Sequence, residues 1–100
     1  MSTPPRWNYN LPSPLPPEWT ATPEASMHLE NVLHFQAHAR KAAAAYLSGK
    51  KRGLQEATLN RRWRTAKRTR AMFEGALTHL ECITNVYTDP SVLLYGDTNV

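Results

Sequence analysis

The chain has a single cysteine, Cys82, in 100 residues. An intrachain disulfide is therefore impossible, and so is a zinc site built on two or four cysteines of one chain. This usage fits a reducing, intracellular setting, and a cytoplasmic location is the expectation. No apolar run approaches the length of a membrane span, so no membrane partner is expected. The opening Met-Ser-Thr-Pro-Pro lacks the apolar core of a signal peptide. No glycine-rich phosphate loop, nucleophile elbow or His-Glu-x-x-His pattern occurs. His34 and His38 stand four apart with Glu30 one turn earlier, and His79 precedes Cys82 by three. Surface or interface histidines and a packed Cys82 are the readings these spacings support. Nothing in the inventory argues for an enzyme, a metal or a cofactor.

Acidic residues are scarce where basic ones crowd. Residues 40–70 hold eleven Lys or Arg and one acid, Glu56, a charge of +10. The remainder sets Arg6 against seven acids, a charge of −6, and the two regions together give the chain's +4. A distribution this polarised favours an anionic partner, or an acidic patch on a neighbouring subunit.

The densest stretch runs from Asn60 to Arg70, where six of eleven residues are basic and none is acidic. Arg61, Arg64 and Arg68 are spaced i, i+3, i+7 and share one helix ridge, with Lys67 beside them. Leu59, Trp63, Ala66, Phe73, Leu77 and Leu80 fall on the other side or its margin. Arg62 points toward the apolar side and Arg70 toward its border, so each must snorkel, pair with an acid or face a pocket. The ridge reads as a site for a polyanion; the alternative is a solvated helix face.

Six of the eight prolines lie in residues 1–22. That segment cannot be helical, because proline lacks an amide donor and restricts the residue before it. It also carries Trp7, Tyr9, Leu11, Leu15 and Trp19, too many large apolar groups for a floppy linker. An extended arm that docks on the helices or on a neighbouring subunit is expected. Thr22-Pro23-Glu24 starts a helix, with Thr22 as N-cap, Pro23 at the first position and Glu24 at the positive end of the dipole. The predicted fold is all-α: an arm over 1–22, then a helical hairpin over 23–87. The hairpin comprises a helix over about 23–47, a turn over 48–53 in which Gly49 ends the first helix, and a helix over about 54–86. A tail over 88–100 follows, with a short apolar segment at Val92 to Tyr95. Two helices bury one seam, so the hairpin is expected to assemble into an oligomeric helical bundle.

Arg6-Trp7-Asn8-Tyr9-Asn10-Leu11-Pro12 resembles the Arg, aromatic, any residue, Tyr, then Pro pattern in the arm of phage proteins that sequester the cyclic oligonucleotide signals of bacterial CBASS immunity. Arg64 with Phe73-Glu74-Gly75-Ala76-Leu77 is similar to a pattern in their second helix. The resemblance implies a non-enzymatic sponge that is a homo-oligomer, with ligand pockets between subunits, Tyr9 stacked on a base and Arg64 on a phosphate. The expected ligand-binding residues are then Trp7, Tyr9, Arg61, Arg64, Lys67 and Arg68. Two other readings use the same basic helix: a nucleic-acid binder laying it along phosphates, and an inhibitor or adaptor docking it on an acidic host protein.

Overall fold

The computed structural model describes residues 9–88, and within them the chain is all helical with no strand. Trp7 and the segment Val92 to Tyr95 lie outside the described residues. A single 3-10 turn, Pro17–Thr20, precedes two long helices, α1 (Pro23–Arg52) and α2 (Glu56–Thr84). The helices pack against each other as a hairpin. At about 1.5 Å rise per residue, the thirty residues of α1 account for the 47 Å long dimension of the protein.

α1 begins where Thr22-Pro23-Glu24 predicts. The Thr22 backbone is extended and its Oγ1 accepts a hydrogen bond from the Ala25 amide at 3.1 Å. Its far end corrects the sequence reading. α1 does not stop near Leu47 but continues to Arg52, and Gly53 takes the left-handed position at φ 73°. The Gly53 amide donates to the Lys50 carbonyl and the Leu54 amide to the Gly49 carbonyl, the paired bonds of a Schellman end. Gly49 serves packing instead. A Cβ there would sit 3.0 Å from Arg62 Nη1, 3.0 Å from Leu54 Cδ1 and 3.2 Å from Leu59 Cδ2. Only three residues, Gly53 to Gln55, join the helices, so α2 must return antiparallel.

α2 lacks a side-chain cap at Gln55 and ends at Thr84, with Asn85 in the left-handed region at φ 59°. Beyond it, both the Thr88 amide and its hydroxyl donate to Glu81 Oε2, at 2.7 and 2.6 Å. Glu81 is 9% exposed, and these bonds supply its carboxylate with partners.

The core is graded along the rod. Toward the open end, α1 contributes Ala25, Leu29 and Val32, and α2 contributes Phe73, Leu77 and Leu80. Toward the turn, the buried residues are Ala39, Ala42, Ala43, Gly49 and Ala66. Small residues dominate the buried seam toward the turn, and the large buried side chains gather at the open end. Tyr9 and Trp19 join them there, both 0% exposed. The described part of the arm therefore lies on its own hairpin. Gln36 Nε2 donates to the Tyr9 carbonyl at 2.8 Å and Arg40 Nη2 to Asn10 Oδ1 at 2.9 Å. Gln36, the one polar side chain in the apolar stripe of α1, is there to meet that carbonyl.

Candidate functional site

An antiparallel hairpin turns a block of charge in the sequence into a charged end in space. Arg40, Lys41, Lys50, Lys51 and Arg52 on α1 and the six cations of α2 all fall in the half nearest the turn, with Glu56 the only acid, which gives +10. Among the described residues, the open half carries Glu18, Glu24, Glu30, Glu74 and Glu81 and no Lys or Arg, which gives −5.

Some of these cations have structural work. Arg62 points to the apolar side, as its position on the helix predicts, and its Nη1 donates to the Ala45 carbonyl at 2.7 Å, tying the two helices together. Arg70 Nε pairs with Glu74 Oε1 at 2.9 Å, one turn along α2. Lys67 Nζ lies 5.8 Å from the centre of the Trp63 ring, within the range of a cation–π contact. Trp63 in turn packs on Tyr46, with ring centres 5.0 Å apart.

Arg61, Arg64 and Arg68 are exposed and make no ion pair among the described residues. Arg61–Arg64 and Arg64–Lys67 are i,i+3 neighbours and Arg64–Arg68 are i,i+4 neighbours. Each such like-charge contact destabilises a helix by about 0.2–0.5 kcal/mol. The ridge also stands in the first half of α2, where the helix dipole gives cations no help. Lys50, Lys51 and Arg52 are the opposite case, because they occupy the last turn of α1 and are favoured there. The fold thus gains nothing from Arg61, Arg64 and Arg68. An arrangement that costs stability and faces solvent is suited to an external anion, through the planar donor fork of each arginine.

The structure does not bring together every residue expected of the site. Arg61, Arg64, Lys67 and Arg68 form one exposed group on α2. Tyr9 is not part of it as a stacking surface. Its ring is fully buried, edge-on to Phe73 with ring centres 5.4 Å apart, so neither face is open to a base. The physical reason is the apolar open end of the core, which takes up a large ring delivered by a left-handed backbone at φ 53°. Burial pushes the Tyr9 phenol up from 10.0 to about 12, with Glu74 adding to the rise and Arg70 opposing it. Half-buried Trp63 is the aromatic ring that lies amid the cations.

His34 and His38 are exposed, as expected of surface histidines, but the cysteine differs from its expected placement. Cys82 is exposed rather than packed. His28 and His79 meet across the hairpin with ring centres 4.4 Å apart, a pair that adjacency in sequence does not reveal. The signal was in the register. Arg62 contacts Ala45, and two positions whose numbers share that sum lie opposite each other, as 28 and 79 do. His34 and His38, one turn apart, meet edge to face with ring centres 4.5 Å apart. No group of three His, Cys, Asp or Glu suited to a metal occurs among the described residues, and no helix there is long and apolar enough to cross a membrane. Compared with protein-family models, with curated proteins and with solved structures, the chain matches none.

Proposed function

We propose that the protein is a non-enzymatic binding protein that sequesters a compact polyanion, a cyclic oligonucleotide of the kind used as an immune signal against phage. The observation that carries this reading is the ridge of Arg61, Arg64, Lys67 and Arg68, exposed and destabilising to its own helix, beside the half-buried Trp63. Arginine forks suit phosphate oxygens, and an indole face suits a base. The likeness of Arg64 with Phe73 to Leu77 to a pattern in the second helix of the sponge proteins points the same way.

The test is thermal shift at physiological salt with a panel of cyclic di- and trinucleotides and a short DNA duplex. A ligand that binds only the folded state raises Tm by mass action. The expected result is a large shift with one cyclic nucleotide, recovered intact after heating, and no shift in Arg64→Ala. A chemically altered nucleotide would exclude a sponge.

A second reading has its own support. The ridge continues onto Lys50, Lys51 and Arg52 at the tip of the hairpin, an extended basic surface of the kind that tracks a nucleic-acid backbone. A shift with duplex DNA alone, falling steeply as salt rises, would establish it in place of the first.

A further inference from the structure

On one flank of the hairpin lies an open groove of about 360 Å³, lined by His28 and Phe35 of α1 and by Met72, Gly75, Ala76 and His79 of α2. It is not the flank used by the arm. On α1 its residues stand on the other side of the buried stripe from Arg40, which holds Asn10. Nor is it the flank by which the chain leaves α2, because Thr88 is bound at Glu81, about 200° around the helix from His79. Met72 is 45% exposed in this groove.

Gly75 makes the groove harder to dismiss as ordinary surface. A glycine inside a helix costs about 1 kcal/mol relative to alanine. A Cβ at Gly75 would meet nothing within 4 Å, and its φ is not one that glycine alone adopts. Gly49 shows the contrast, since there a Cβ would strike Arg62 and Leu54. The described fold has no use for a missing side chain at position 75, whereas a backbone approaching from outside would.

We infer that the groove is closed by a second copy of this chain, lying antiparallel so that the turn half of each hairpin covers the open half of the other. Charge selects this occupant and this direction. A parallel copy would set the cations of one turn half against those of the other, whereas an antiparallel one sets Glu24, on the groove flank of the open half, against the basic turn half of its partner. The register agrees. Taking the midpoint of the lining residues on each helix and about 1.5 Å rise per residue, exposed Glu24 and exposed Arg68 lie about 11 Å from it in opposite directions. An inverted copy therefore brings its Glu24 to the level of Arg68. The open end reaches only about 13 Å beyond that midpoint and the turn end about 31 Å, so each basic tip overhangs its partner by roughly 18 Å. Arg61, Arg64 and Lys50 to Arg52 stay outside the contact. The contact is isologous, as a two-fold interface requires, and it takes Arg68 from the basic ridge while leaving Arg61 and Arg64 open to an external anion.

The experiment is light scattering after size exclusion, and sedimentation, on the full chain from micromolar to millimolar concentration at low and high salt. A dimer that weakens as salt rises is expected. Met72→Glu and Gly75→Gln should each shift the protein to monomer without lowering the Tm of dilute protein, because neither side chain is needed in the hairpin. Glu24→Lys should weaken the dimer, and Glu24→Lys combined with Arg68→Glu should restore it. A monomer at every concentration, or an oligomer unchanged by both groove variants, would overturn the proposal. So would truncation after Thr88 that turns a monomer into a dimer, because the chain's own tail would then be the occupant.

Discussion

Gln36 Nε2 donates to the Tyr9 carbonyl at 2.8 Å, joining residues 27 apart in the sequence. The bond holds the arm at the point where its backbone turns left-handed and the Tyr9 ring enters the core. Gln36→Leu keeps the side-chain volume and the helix propensity but leaves that partly buried carbonyl without its donor. A loss of about 1–3 kcal/mol is expected. Urea unfolding measures it, and an unchanged midpoint would mean that the arm is held by its side chains alone.

The Tyr9 hydroxyl is buried with no partner among the described residues. An unpaired buried hydroxyl costs about 1–3 kcal/mol in proteins, so Tyr9→Phe should stabilise the fold near neutral pH. The same variant should change the alkaline limb. Because the folded state holds the phenolic proton more tightly, with a pKa of about 12 against 10.0, the wild type keeps that stability in full below about pH 10 and loses it as pH rises toward 12. Tyr9→Phe lacks this component, and denaturant melts taken across the alkaline range would show a shallower decline. An equal decline in both proteins would place the alkaline sensitivity at other groups.

Gly49→Ala offers helix propensity and takes away space. The gain is about 1 kcal/mol, but the new Cβ would stand 3.0 Å from both Leu54 Cδ1 and Arg62 Nη1, whose bond to the Ala45 carbonyl fixes it in place. Overpacking of this kind typically costs about 1–3 kcal/mol, so a net loss is expected. A Gly49→Ala protein more stable than wild type would show that the Arg62 bond yields easily. At Gly53, by contrast, alanine meets no atom and loses stability only through the left-handed backbone.

Glu81→Ala removes the acceptor for both the amide and the hydroxyl of Thr88. Hydrogen bonds to a charged group are worth about 1.5–3 kcal/mol each, though part of this is recovered by solvation of the freed donors. The expected effect is local. Amide exchange at Thr88 should accelerate while the amides of Phe73 and Leu77 keep their protection. Faster exchange throughout α2 would make Glu81 a support of the whole helix.

The start of α1, the direction of the hairpin and its charged end were legible in the sequence. Each depends on signals within a few residues: Thr22-Pro23-Glu24, a glycine-bearing turn, and a block of cations that any hairpin about that turn must gather. The choice between Gly49 and Gly53 was not legible, since both suit a helix end. What separates them is the approach of Arg62 and Leu59 from the other helix and of Leu54 from the connection. Tyr9 failed as a ligand surface for a related reason. The large apolar groups that argued for a docked arm included Tyr9 itself, and how deeply one ring is buried depends on the core beneath it. The His28–His79 contact needed the register, which only the tertiary contacts fix.

The grading of the core has a consequence for how the rod opens. Most of the cooperative free energy resides where Trp19, Phe73, Leu77 and Leu80 are locked together, and little where alanines and Gly49 line the seam. Thermal fluctuations should therefore unzip the hairpin from its tip, with amides of Tyr46 to Thr65 exchanging by subglobal opening and those near Val32 and Phe73 only by global unfolding. The cations sit on this softer segment. An anion that bridges Arg61 or Arg64 to the last turn of α1 would act as a clasp, and its capture would be reported by slower exchange far from any atom it touches.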